Sequence, residues 1–133
     1  MAVQVTIRAN ASNEYRAIVE VLERQFEVII DTGFTNPLCQ VGLGLDNDSY
    51  QSIQRELQDL LQVGFYPVGE PTPVRVDSGI AFVRIAGLDS SEVLTRIVNA
   101  GENVLGICYF HRLTGFEVSW DLTDKTMVIR RNR

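Results

Sequence analysis

The chain opens on an alternation. Val3, Val5 and Ile7 are separated by Gln4, Thr6 and Arg8, the two-residue period of a strand with one buried face. A polar turn, Asn10-Ala11-Ser12-Asn13, follows. From Tyr15 to Leu22, the positions Tyr15, Ala17, Val19 and Val21 again share one face and predict a second strand, although Glu20, Glu23 and Arg24 also suit a helix. Gln25 to Asp31 predicts a third strand, because Phe26-Glu27-Val28-Ile29-Ile30 is a largely apolar, β-branched run. It ends on Asp31-Thr32-Gly33, ahead of Phe34-Thr35-Asn36-Pro37. Over Leu38 to Leu45, Val41, Leu43 and Leu45 alternate with Gly42 and Gly44, an extended segment with room for a bulge.

The period changes after Asp46-Asn47-Asp48-Ser49. Tyr50, Ile53, Leu57, Leu60 and Leu61 recur at helical spacing, Asp48 and Gln51 form a capping box, and Gly64 supplies a stop. One amphipathic helix is therefore predicted from Asp48 towards Gly64, most simply as a core-packing element. Beyond Phe65-Tyr66-Pro67 and the Pro/Gly-rich Gly69-Glu70-Pro71-Thr72-Pro73, Val74 to Ile85 places two β-branched arms around Asp77-Ser78-Gly79. That pattern predicts a hairpin with its tip at those three residues. Asp77 suits a turn-forming role better than that of a second functional acid. Asp89 to Ala100 is ambiguous: Asp89-Ser90-Ser91-Glu92 is a capping box before Val93, Leu94, Ile97 and Val98, while the β-branched content also allows a strand.

Asp31 carries the candidate chemistry. Aspartate is depleted in strands and its charge is costly to desolvate, so an acid at the end of a buried strand needs hydrogen bonds, a partner or a chemical role. Thr32 adds a hydroxyl, and Gly33 lets the backbone come close to whatever the carboxylate holds. Taken alone, Asp-Thr-Gly is more often a plain turn with an Asx-type hydrogen bond. A second motif changes that balance. Asn103-Val104-Leu105-Gly106 follows a β-branched segment and precedes Ile107-Cys108-Tyr109-Phe110, and then come Gly115-Phe116-Glu117-Val118-Ser119-Trp120-Asp121 and Lys125-Thr126-Met127-Val128-Ile129. In the type and order of residues 26–38 and 103–129, the chain resembles the retropepsin-like, single-domain aspartic proteases, in particular their bacterial members.

The resemblance implies a mostly β fold in one domain, 1–133. This would be a closed β-barrel of the retropepsin-like acid protease type, with the amphipathic helix inserted after the catalytic strand and loop. It favours a strand over 89–100, a short helix over Ile107 to Leu113, and final strands over Phe116 to Trp120 and Thr126 to Arg130. Val74 to Ile85 would be the flap that closes over substrate. A one-lobe chain would work as a homodimer, with Val3 to Ile7 and Met127 to Arg130 interleaving across the interface. Asp31 from each copy would form the catalytic dyad, Thr32 would brace the loop, and Gly33 would donate its amide near the carboxylates. Phe34, Asp77, Ser78 and Gly79 would contact a polypeptide substrate. Val104, Leu105 and Gly106 would pack behind the loop and fix the carboxylate plane. Phe34 departs from relatives that carry Ala or Ser there and would narrow the cleft. No metal or organic cofactor is implied.

Composition narrows the alternatives. The 133 residues suffice for one domain with a real core. A formal charge of −5 argues against a surface that tracks nucleic-acid phosphates. The alternating N-terminus is not a signal-peptide core and no run approaches a membrane span, so a soluble, cytoplasmic protein is expected. Cys39 and Cys108 lack metal-type spacing and read as small core hydrophobes. His111 is the one histidine, with no Gly-x-Ser-x-Gly elbow to serve, and reads as a surface or half-buried residue. Arg130, Arg131 and Arg133 form a basic, solvated tail. Two functions from different classes remain: an aspartic endopeptidase, and a catalytically silent dimeric β-barrel that binds peptides in the same groove. An ordinary α+β binding domain, with an accidental Asp-Thr-Gly, is the third.

Overall fold

Alternation builds most of the chain. The computed structural model describes residues 3–35, 39–65 and 71–132. Asn36, Pro37 and Leu38 after the Asp31 turn, the connection through Tyr66, Pro67, Gly69 and Glu70, and Arg133 of the basic tail lie outside the described residues. The strands are β1 (Gln4–Arg8), β2 (Arg16–Val21), β3 (Arg24–Asp31), β4 (Leu43–Leu45), β5 (Gln58–Phe65), β6 (Val74–Ile85), β7 (Val93–Asn99), β8 (Val104–Gly106), β9 (Phe116–Asp121) and β10 (Thr126–Arg131). The helices are α1 (Asn47–Ile53) and α2 (Ile107–His111).

Six strands close a barrel in the order β2-β3-β8-β4-β7-β6, and β6 returns to β2 through Val19 opposite Ile85 and Val21 opposite Val83. Glu20 and Arg84 face each other on that seam and form an ion pair. β5 is added outside, on β6, and a second sheet has the order β1-β10-β9. The mostly β, closed-barrel expectation is met. Ala17, Val19 and Val21 turn inward from β2 and join Leu43, Leu45 and Leu105 in one core. Met127 and Ile129 of the second sheet are buried in the same cluster. The 89–100 ambiguity resolves as strand β7, where pairing with β6 from Ser78–Val98 to Val83–Val93 outweighs the local capping box.

The predicted long helix is cut short. α1 is capped by Asp46, whose side chain accepts the Ser49 amide at 2.8 Å, rather than by Asp48, and it buries Tyr50 and Ile53. A 3-10 turn, Gln54–Glu56, follows, and the chain then becomes strand β5. Leu60 and Leu61, read as part of an apolar helical face, are exposed on that strand, and Gly64 lies within it rather than stopping a helix. Pairing with β6 overrides the helical spacing. The predicted hairpin tip is also corrected, because Val74–Ile85 is one unbroken strand with Asp77, Ser78 and Gly79 inside it. Gly79 is there for close approach: a Cβ would lie 2.6 Å from the Leu57 Cβ. The hairpin that exists joins β5 to β6, in register from Leu61–Ser78 to Phe65–Val74.

The terminal strands pair within the chain. Val5 lies opposite Ile129 and Ile7 opposite Met127, so within one chain these two strands pair with each other. The β9–β10 hairpin brings the C-terminal strand back beside β1 and satisfies its backbone there. Among the described residues, no helix is long and apolar enough to cross a membrane.

Candidate active site

Two parallel strands hold the Asp31 loop. β3 and β8 run side by side with Ile29 opposite Val104, Ile30 opposite Leu105 and Asp31 opposite Gly106. The Ile29 amide donates to the Asn103 carbonyl at 3.1 Å and the Gly106 amide to the Gly42 carbonyl at 2.8 Å. Val104 and Leu105 are buried. The two motifs found in the sequence are thus adjacent, with the strand bearing Val104 and Leu105 directly beside the one that delivers the carboxylate.

At the end of β3 the chain turns sharply. The Phe34 amide donates to the Asp31 carbonyl at 3.1 Å, and the Gly33 amide donates to Asp31 Oδ1 at 2.9 Å. This Asx-type bond orients the carboxylate while Asp31, Thr32 and Gly33 stay exposed. A side chain at position 33 would press on Asp31 Oδ1, with its Cβ at 3.2 Å.

Phe34 anchors the turn from beneath. It is 7% exposed and packs in a satellite core with Val41, Val63, Val98 and Val104. Two glycines make its slot. A Cβ at Gly106 would run into the Phe34 carbonyl oxygen, and a Cβ at Gly44 would lie 2.8 Å from the tip of the Phe34 ring. The expectation that Phe34 narrows a substrate cleft is corrected: its ring is spent on core packing. Gly44 was visible in the sequence only as part of an alternating Gly pattern, without a hint of what it would face.

Asp77, Ser78 and Gly79 sit on β6, and only the first is exposed. Asp77 accepts from the Gln62 amide group at 3.3 Å across the β5–β6 pair, and the Ser78 hydroxyl donates to the Leu61 carbonyl at 2.8 Å. Ser78 and Gly79, expected at a mobile tip, are instead buried in the sheet.

The cysteines are a further correction. Cys39 and Cys108, read as separate core residues, form a disulfide with their Cα atoms 5.4 Å apart. Cys108 alone keeps the expected burial. The bridge ties the segment after the Asp31 loop to α2, which begins where β8 ends. Thr35 Oγ1 lies 3.1 Å from Cys108 Sγ, and the exposed His111 has its Nδ1 3.8 Å from Cys39 Sγ. With residues 69 apart in sequence, no spacing rule joins them.

A scan against protein-family models finds no match, and a search of curated proteins finds none either. Among solved structures, the chain is similar to a retropepsin-like aspartic protease from Rickettsia conorii, with 14% identity and a TM-score of 0.67. The match covers 96% of this chain and 90% of that one. Over nearly its whole length, the chain has the fold of that retropepsin-like protein.

Proposed function

We propose that the protein is an aspartic endopeptidase whose site forms when two copies bring their Asp31 loops together. The observation that carries this reading is the Asp31 carboxylate itself: exposed at the end of a barrel strand, oriented by the Gly33 amide, and in register with Gly106. The fold shared with a retropepsin-like protease supports it. One chain supplies one such carboxylate, and a water-activating dyad needs two.

In the dyad, like charges a few Å apart cannot both ionise cheaply, so the two carboxyl groups share one proton. The ionised Asp31 takes a proton from a water between the copies, and that water oxygen attacks the scissile carbonyl carbon. The protonated Asp31 donates to the carbonyl oxygen as it gains charge. Collapse breaks the C–N bond, and the amine leaves with a proton from the dyad. Neither a metal nor an organic cofactor takes part. Thr32 stabilises the loop at the interface, and Val104, Leu105 and Gly106 keep the carboxylate plane from rotating.

The test is cleavage of a diverse peptide library across acidic to neutral pH by wild type and by Asp31→Asn. Cleavage that disappears in the variant, with an unchanged circular dichroism spectrum, is the expected result. Equal cleavage by both would overturn the reading. Peptide binding without cleavage by wild type would replace it with the silent peptide-binding barrel.

A further inference from the structure

β5 and β6 run past the barrel. β6 pairs with β7 from Ser78 to Val83, whereas Val74 to Asp77 pair with β5. Among the described residues, Gln62–Phe65 and Val74–Asp77 therefore make a two-stranded arm without a third strand beside it. Two-stranded ribbons are marginal on their own, so the arm's direction depends on what it rests against and what holds its root. It shares a core with the Asp31 loop: Val63 is buried in the same cluster as Phe34, and Val76, its direct partner across the arm, packs against that cluster.

The root is irregular and polar. The β5–β6 register slips between Gln58 and Leu61, and Asp59 adopts a φ of 50°. Arg96 of β7 reaches across to this point with its side chain only 12% exposed. Its Nη1 donates to the Asp59 carbonyl at 3.1 Å and to Ser78 Oγ at 2.9 Å, and its Nη2 donates to the Asp59 carboxylate. Ser78 Oγ in turn donates to the Leu61 carbonyl. One guanidinium thus ties β5, β6 and β7 together where the arm leaves the barrel. Desolvating that charge is worthwhile only where its donors are matched, and the compact ammonium of lysine does not span a carbonyl, a hydroxyl and a carboxylate at once.

We infer that Arg96 is a positioning residue: it sets the angle of the β5–β6 arm over the Asp31 loop, and through the arm it sets how an extended peptide is held there. The second half rests on the peptidase reading, whereas the first does not. Each half has its own measurement.

Backbone hydrogen exchange is compared among wild type, Arg96→Met, Arg96→Lys and the milder Asp59→Asn, which keeps the guanidinium and an acceptor oxygen but removes the charge of its partner. The expected result is exchange faster by about tenfold or more in 62–65 and 74–77 for Arg96→Met, with β3 and β8 unchanged. Asp59→Asn should show the same pattern more weakly, and Arg96→Lys should fall between wild type and Arg96→Met. Unchanged exchange in the arm, or an equal rise throughout the barrel, overturns the inference. In peptide cleavage, Arg96→Met should raise KM about tenfold while kcat stays within about twofold. A fall in kcat at constant KM overturns the second half. If wild type cleaves nothing, the peptidase reading and this second half fall together, while the exchange data still decide the role of Arg96 in the arm.

Discussion

Gly106 stands beside Asp31 in the parallel register of β3 and β8, and the Phe34 carbonyl oxygen fills the space a side chain at 106 would need. Gly106→Ala must therefore push the loop away from the strand that supports it. A loss of about 1–3 kcal/mol in urea unfolding is expected, the range for overpacking a well-filled site. If position 106 tolerates alanine with no change in midpoint, the loop is not held from behind as described.

The Cys39–Cys108 bridge closes a stretch of 69 residues and restrains the unfolded chain. Replacing both cysteines by alanine should cost about 2–4 kcal/mol and lower Tm accordingly. Thiol alkylation with and without prior reduction, followed by mass spectrometry, checks the starting point. Labelling of two thiols without reduction would contradict the bridge.

The β2–β3 turn uses unfavourable residues. Leu22 and Glu23 have φ of 51° and 65°, the left-handed region that glycine adopts freely, and Glu23 is exposed. Glu23→Gly should stabilise the protein by about 0.5–1 kcal/mol, read as a higher urea midpoint at unchanged m-value. A lower midpoint would show that the Glu23 side chain makes a contribution larger than its backbone strain.

The Tyr109 hydroxyl donates to the Ser91 carbonyl at 2.7 Å inside the core. Burial pushes its pKa well above the ordinary value. The folded state thus holds this proton more tightly than the unfolded state. Its contribution is whole below about pH 10 and is lost as pH rises beyond that value. Tyr109→Phe should cost about 1 kcal/mol at neutral pH and flatten the alkaline decline between about pH 9 and 11. An equally steep decline in the variant would assign it to other groups.

Much of the barrel was legible because its strands follow local rules. Val19 and Val21 alternate, Val28-Ile29-Ile30 is β-branched, and the glycine after Val104-Leu105 marks a close approach. The elements around the arm were not legible. Leu57, Leu60 and Leu61 repeat at three- and four-residue intervals, which fits a helix, yet pairing with β6 draws 58–65 into a strand. Asp77-Ser78-Gly79 looks like a turn because its residues are turn formers, but Gly79 is small for the sake of Leu57 and Ser78 is polar for the sake of Arg96. Both reasons lie in residues distant along the chain. The same holds for the site: Asp31 and its glycine neighbours were legible, whereas the burial of Phe34 between Gly44 and Gly106 depends on three separate segments. Likewise, nothing local tells Cys39 that Cys108 will be beside it.

A shared dyad makes a prediction that no single-chain site makes. Wild type and Asp31→Asn are unfolded together, refolded as a mixture, and assayed for peptide cleavage against wild type refolded alone at the same total concentration. Each mixed dimer carries one aspartate and is inactive, so at equal proportions the activity per wild-type chain should fall to about half, and further with excess variant. Activity per wild-type chain that stays constant at every ratio would mean that each copy acts alone, and the account of two Asp31 carboxylates meeting at one site would be wrong.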